Sequence, residues 1–310
     1  MILEDVIVCA DSKYPLNGIL TIPESDVPVP AVVFVHGSGA SDKDEKIGGL
    51  TPFKDLAGGL AEFGIASLRY DKRSFAHGFK MVRDKNLEVT VKSETIDDAI
   101  AASELLKKDS RIDAENVFVI GHSMGAMLAP RIDAEGGHFR GLILMAGSPR
   151  TLEEIMMGQN EAVLSQTKGL VHWIVEKQIA KLTKQFEGLY EMSDAQAKAV
   201  KMGNGVTLYY FKEMGEHQAS DYLMELEKPI LILQGEKDFQ ATVKDDYSQY
   251  QRLLEGKDNV TFRLYEGLNH AFVSAISENI MMAKQEYKPR RNVDTKVIED
   301  IAMWIKGSSK

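Results

Sequence analysis

The five residues Gly121-His122-Ser123-Met124-Gly125 constrain this chain more than any other stretch. They fall directly between the apolar run Val117-Phe118-Val119-Ile120 and Ala126-Met127-Leu128-Ala129, a run with the character of a helix start. Glycines on both sides of a serine in that setting read as a sharp strand-to-helix turn, because no side chain fits beside so tight a bend. Such a turn holds the serine hydroxyl out of the chain and makes Ser123 the candidate nucleophile. The pattern Gly-x-Ser-x-Gly alone is common; the strand before it and the helix after it give it weight.

Around this turn, short apolar runs alternate with segments of helical period. That order predicts an α/β fold with a mostly parallel sheet covered on both faces. Eight runs read as strands: Val6–Cys9, Gly18–Ile22, Ala31–His36, Ala66–Tyr70, Val117–Gly121, Gly141–Ala146, Ile230–Gln234 and Val260–Tyr265. Ser12-Lys13-Tyr14-Pro15 is short enough to join the first two as an antiparallel hairpin at one edge. Helices are expected over Phe53–Phe63, Thr95–Leu106 and Asp294–Ile305, with Thr95-Ile96-Asp97-Asp98 as a capping box for the second. Asp245 and Asp246 suit the positive end of a further helix.

A doubly wound sheet needs only a short crossover between strands, yet roughly 80 residues separate Ser148 from Glu227. The sequence therefore divides into a core of residues 1–147 and 228–310 and a helical cap of residues 148–227 over the carboxyl edge of the sheet. Val175, Ile179, Leu182 and Phe186 recur at helical spacing there, and Ser193-Asp194-Ala195-Gln196 reads as a capping box.

A serine hydroxyl needs a base, and the base must come from elsewhere in the fold. Of the seven histidines, only His270 follows the last strand, at the carboxyl edge where open α/β sheets bind ligands. His36 belongs to the turn after the third strand, and His122 points away from the hydroxyl within the turn. The acid is sought after the preceding strand, in Gln234-Gly235-Glu236-Lys237-Asp238. Asp238 is preferred to Glu236 because a residue several places beyond the strand end can turn back towards the histidine. The attacked carbonyl becomes an oxyanion that requires waiting donors. His36-Gly37-Ser38-Gly39 brings backbone close to a substrate, and the amides of Ser38 and Met124 are the expected oxyanion hole.

With these motifs in this order, the chain resembles the α/β-hydrolase superfamily over nearly its whole length outside the insertion. It looks most like the bacterial serine esterases related to cinnamoyl esterases, dienelactone hydrolases and the catalytic domain of prolyl oligopeptidases. The resemblance implies an eight-stranded α/β-hydrolase fold with a cap after the sixth strand, the order Ser, Asp, His, and an acyl-enzyme mechanism with no metal or organic cofactor. It implies a structural place for Asp71 in Arg69-Tyr70-Asp71-Lys72-Arg73. A serine at the elbow departs from the cysteine of dienelactone hydrolases and from the aspartate of dehalogenases and epoxide hydrolases, and no propeller precedes the hydrolase part as in oligopeptidases.

The expectation is a hydrolase acting on small to medium carboxylic esters. An acyltransferase, a thioesterase or a peptidase would use the same triad, and a non-catalytic ligand-binding member would share the fold. Met156, Met157, Trp173, Tyr209, Tyr210, Phe211 and Met214 are candidates for lining an acyl pocket, with Met156, Trp173, Tyr209 and Tyr210 foremost. The net charge of −9 argues against nucleic acid and anionic membrane partners, whose binding depends on Lys and Arg. The acidic amino terminus and the absence of a long apolar run predict a cytoplasmic protein. The single cysteine, Cys9, is expected to be a buried strand residue. Oligomeric state is not readable from the sequence.

Overall fold

The computed structural model describes residues 1–203 and 205–309. Ten strands occur among them: β1 (Ile2–Val8), β2 (Leu16–Ile22), β3 (Val29–Val35), β4 (Ala66–Tyr70), β5 (Ile112–His122), β6 (Leu142–Met145), β7 (Lys201–Gly203), β8 (Val206–Thr207), β9 (Ile230–Gly235) and β10 (Val260–Tyr265). Eight form one sheet in the order β1-β2-β4-β3-β5-β6-β9-β10. β2 pairs antiparallel with both β1 and β4, and every other pairing is parallel, so β2 alone runs against the rest.

The central strands read as unbroken apolar runs because both of their faces are covered. Side chains alternate across a strand. Val33, Val35, Val119, Leu144 and Ile232 enter one buried cluster, while Val32, Phe34, Phe118, Ile143 and Leu231 enter the other. The first cluster is closed by α3 (Asp97–Lys108), α4 (Met124–Ile132) and α10 (Ser248–Leu253), through residues such as Leu106, Leu128 and Tyr250. The second is closed by α1 (Pro52–Glu62) and α12 (Thr295–Ser308), through Phe53, Leu60, Val297 and Ile301. Each of these large side chains contributes about 1.5–3 kcal/mol on burial. α2 (Arg73–Arg83) and α11 (Ala283–Glu286) lie in the loops after β4 and β10.

Between β6 and β9 the chain forms α5 (Leu152–Gln166), α6 (Gly169–Phe186), α7 (Asp194–Ala199), the hairpin β7–β8, α8 (Leu208–Gly215) and α9 (Ala219–Glu225). This insertion is not uniform. Leu208, Phe211 and Leu223 of α8 and α9 are buried in the first sheet cluster, whereas α6 buries no residue at all. Its stripe Val175, Ile179, Leu182 and Phe186 is only half-buried. The capping box at Ser193 is present. A second one, Thr151 with Glu154, opens α5.

Two expectations are corrected. Thr95 caps nothing: a π-turn over Lys92–Ile96 carries the helix upstream of it, and the Thr95 hydroxyl is buried without a partner among the described residues. Cys9 is a half-buried turn residue with φ 55°, just past β1, and not a strand residue. Asp245 and Asp246 stand as expected in the first turn of a helix, a π-turn over Val243–Tyr247, where Asp246 accepts from the Thr242 amide and is also buried against Arg150. Among the described residues no helix is long and apolar enough to cross a membrane.

Candidate active site

All the loops after β3, β4, β5, β6, β9 and β10 leave the sheet at one edge, because these strands share a direction. The elbow sits at the centre of that edge. Ser123 has φ 55° and ψ −120°, a strained conformation for a residue with a Cβ, costing about 1–3 kcal/mol. The glycines around it are required sterically. A Cβ on Gly125 would lie 2.1 Å from the carbonyl oxygen of Val35, and one on Gly121 would lie 2.3 Å from that of Gly125.

Asp238 and His270 meet as the sequence predicts. His270 Nδ1 lies 2.7 Å from Asp238 Oδ2, with both residues buried. The carboxylate is saturated with donors: Gln234 Nε2 reaches Oδ2 at 3.1 Å, and the amides of Gln240 and Ala241 reach Oδ1 at 2.7 and 3.1 Å. With Oδ2 facing Nδ1, the imidazole carries its proton there and presents an unprotonated Nε2. Glu236, the competing acid, has its carboxylate at the surface and accepts from the amide of Gly267. Asp71 accepts from the amide of Lys43, a structural place as the resemblance implied.

The elbow and the histidine loop touch through His122. Its Nε2 donates to the backbone carbonyl of His270 at 2.9 Å, and the two rings stand 4.7 Å apart. Its Nδ1 lies 3.0 Å from Glu45 Oε2. Burial opposes a charge on His122, but the Glu45 carboxylate outweighs it and raises the imidazole above its ordinary value. Burial likewise opposes charge on Glu45, and His122 holds that carboxyl below its ordinary value. Burial drives His36 the other way, down to about 4, so this neighbour is neutral at pH 7.

Among the described residues neither Ser123 Oγ nor His270 Nε2 has a hydrogen-bond partner within the protein. Ser38, Ser123 and Met124 all border a cavity of about 760 Å³. Its walls are mostly apolar, and Glu94 is the one charged side chain among the described residues lining it. The loop carrying Ser38 lies against the elbow, since a Cβ on Gly37 would stand 3.1 Å from Ser123 Cβ. Met124 begins α4, where the first backbone N–H groups have no partner inside the helix.

Met156, Tyr210 and Phe211 line the cavity. Trp173 and Tyr209 do not. Trp173 sits on the outer side of α6, half exposed, beneath the Lys177 ammonium. Tyr209 turns towards Lys198, next to the buried Tyr210 that takes the inward position. Sequence reasoning missed Glu45, Lys72 and Glu94. The only signal for them was Lys72's place two residues after β4, at the edge that carries the site.

Comparison with known proteins agrees with this architecture. Residues 27–274 match the family described as serine aminopeptidase, S33. Esterase EstD of Thermotoga maritima is 35% identical over 290 residues, covering 94% of this chain, and the chain spans about 65% of that protein's length. Among solved structures, Est1E from Butyrivibrio proteoclasticus aligns with a TM-score of 0.57 at 14% identity, covering 98% of this chain and 99% of that one. The proline iminopeptidase of Mycobacterium smegmatis aligns at 0.59 and 15%, with 98% of each chain covered. Strand order, elbow and family match converge: the chain has the α/β-hydrolase fold and belongs to the serine aminopeptidase S33 family.

Proposed function

We propose that the protein is a carboxylesterase that cleaves small to medium carboxylic esters through an acyl-enzyme on Ser123. The observation that carries this reading is the Asp238–His270 pair held beside a strained serine elbow that opens on an apolar cavity. Ser123 attacks the ester carbonyl while His270 Nε2 accepts its proton. The same imidazole protonates the leaving alcohol and then activates water to release the acid. Asp238 fixes the tautomer and stabilises the imidazolium. The amides of Ser38 and Met124 receive the oxyanion. The open Ser123–His270 contact closes as substrate binds, as catalytic hydrogen bonds commonly do. The chemistry uses only these side chains and backbone amides and calls for no cofactor.

Residues 148–227 act as the cap, with residues 1–147 and 228–310 as the catalytic core, since Leu152, Met156, Met202 and Tyr210 of the insertion close the cavity over Ser123. The relative named an esterase supports ester substrates. The family description also brings in aminopeptidases, which must receive a substrate ammonium. Here the one acid at the cavity, Glu94, already accepts from Tyr210 and faces Lys72, which favours a neutral substrate. A small-molecule ester partner and a cytoplasmic location complete the reading.

The test is hydrolysis of p-nitrophenyl esters from acetate to decanoate by wild type and Ser123→Ala. Loss of roughly 10⁴-fold or more in the variant is expected for a triad serine. Equal inactivity of both proteins on every ester would overturn the assignment.

A further inference from the structure

A buried polar chain runs from the insertion to the loop that carries the Ser38 amide. Tyr210 of α8 donates its hydroxyl to Glu94 Oε2 at 2.8 Å. Glu94 Oε1 lies 3.8 Å from Lys72 Nζ. Lys72 donates to the carbonyl oxygen of Gly37 at 2.9 Å. On the other side of the same residue, the Gly37 amide donates to Glu45 Oε1 at 3.0 Å. Tyr210, Glu94, Lys72 and Glu45 are all buried.

This chain does more than fill space. The peptide that joins Gly37 to Ser38 is planar and trans, so its N–H points opposite to its C=O. Whatever fixes the Gly37 carbonyl therefore aims the Ser38 amide, the donor assigned above to the oxyanion. Burying the Lys72 ammonium is unfavourable unless a counter-charge and acceptors surround it. Burial pulls its pKa down, and Glu94 and Glu45 work against that. Glu94 in turn is fixed by a hydroxyl that the core does not possess.

Resting on the esterase reading above, we propose that Tyr210 is a positioning residue: docked on Glu94, it orients Lys72 and thereby the Ser38 amide, so hydrolysis requires the insertion to be seated. A second tie, Arg131 of α4 to Glu213 of α8, holds α8 against the helix that starts at the nucleophile. α8 thus moves with the catalytic core, in contrast to α6, which buries nothing.

The experiment compares wild type, Ser123→Ala, Tyr210→Phe and Glu94→Gln on p-nitrophenyl acetate, whose acyl group is too short to need the cavity walls. Removing one oxyanion donor outright costs 10²–10³ in kcat, so mis-aiming one should lower kcat about 10- to 100-fold. The change in KM should stay within about threefold. Binding of a trifluoromethyl ketone, whose serine adduct bears the oxyanion, should weaken in step with kcat/KM. Tyr210→Phe removes only a hydroxyl, and an unchanged thermal midpoint would show that the loss is not unfolding. Should it unfold, Glu94→Gln keeps the acceptor for Tyr210 while removing the charge opposite Lys72, and the same split is expected. Lys72→Arg, still able to donate to Gly37, should retain more kcat than Lys72→Met. An active, Ser123-dependent wild type with full kcat in both Tyr210→Phe and Glu94→Gln overturns the proposal alone. An inactive wild type overturns the esterase reading and the proposal with it.

Discussion

Asp238→Asn exchanges one oxygen for an NH₂ group, and the structure shows what each orientation of the new amide would meet. All four groups facing the carboxylate are donors: His270 Nδ1 and Gln234 Nε2 on one side, the amides of Gln240 and Ala241 on the other. If the NH₂ faces the two backbone amides, two buried donor pairs oppose each other, at about 1–3 kcal/mol apiece. If it faces His270, one opposed pair remains, with Gln234. That side chain is pinned because its NH₂ also donates to the carbonyls of Gly235 and Ala241. The second orientation wins, and the imidazole must then accept at Nδ1 and carry its proton on Nε2. A base protonated at the working nitrogen cannot take the proton of Ser123, and the loss known for this substitution in triads is about 10⁴ in kcat. At 1.36 kcal/mol per decade that is about 5.4 kcal/mol of barrier. Steady-state hydrolysis of p-nitrophenyl butyrate reads it directly, with Glu236→Gln as the control expected to keep full rate. A kcat for Asp238→Asn within tenfold of wild type would refute the donor argument and the assignment of the acid.

The Glu45–His122 pair makes stability depend on pH in a defined sense. His122 is raised above its ordinary 6.5, so its contribution is full below that value and is lost as pH rises through the raised one. Glu45 is lowered from 4.5, so its contribution is full above 4.5 and is lost as pH falls through the lowered one. Urea denaturation of His122→Gln should therefore show a larger deficit against wild type at pH 6 than at pH 9, and an equal deficit at both would exclude the ion pair. Gly125→Ala forces a methyl group onto the Val35 carbonyl at 2.1 Å; a stability loss of at least about 1–3 kcal/mol is expected, with an unshifted thermal midpoint as the contrary result. Trp173→Ala should leave kcat/KM within about twofold for every acyl length, whereas Met156→Ala, in the cavity wall, should shift the optimum to longer chains. The reverse pattern would relocate the acyl site.

What the sequence revealed and what it hid follow from the range of the interactions concerned. Strands buried on both faces leave apolar runs that need no partner to be recognised, so all eight sheet strands were visible, although β1 begins four residues before the apolar signal at Val6. Its earlier residues lie at an exposed edge, where polarity is tolerated. Ser123, Asp238 and His270 were legible because each lies on the loop that leaves the carboxyl end of a strand, β5, β9 and β10 in turn, and strand ends fix position. Glu45, Lys72 and Glu94 were not, since their roles come from contacts between residues up to 116 apart in the chain. Trp173 failed as a pocket candidate for a related reason: aromatic character marks burial only on average, and α6 turns that ring to solvent.

The place of the insertion in the chain has a consequence for biosynthesis. β6 is fully buried in the finished sheet, with β5 on one side and β9 on the other. Roughly 80 residues must be made after β6 before β9 exists, and at about 5–20 residues per second this takes about 4–16 s. Through that interval Leu142–Met145 presents an apolar strand with an open edge, the kind of edge that pairs with foreign strands. Until β9 emerges from the ribosome, the half-made chain is at its most prone to aggregate and offers a chaperone its clearest target.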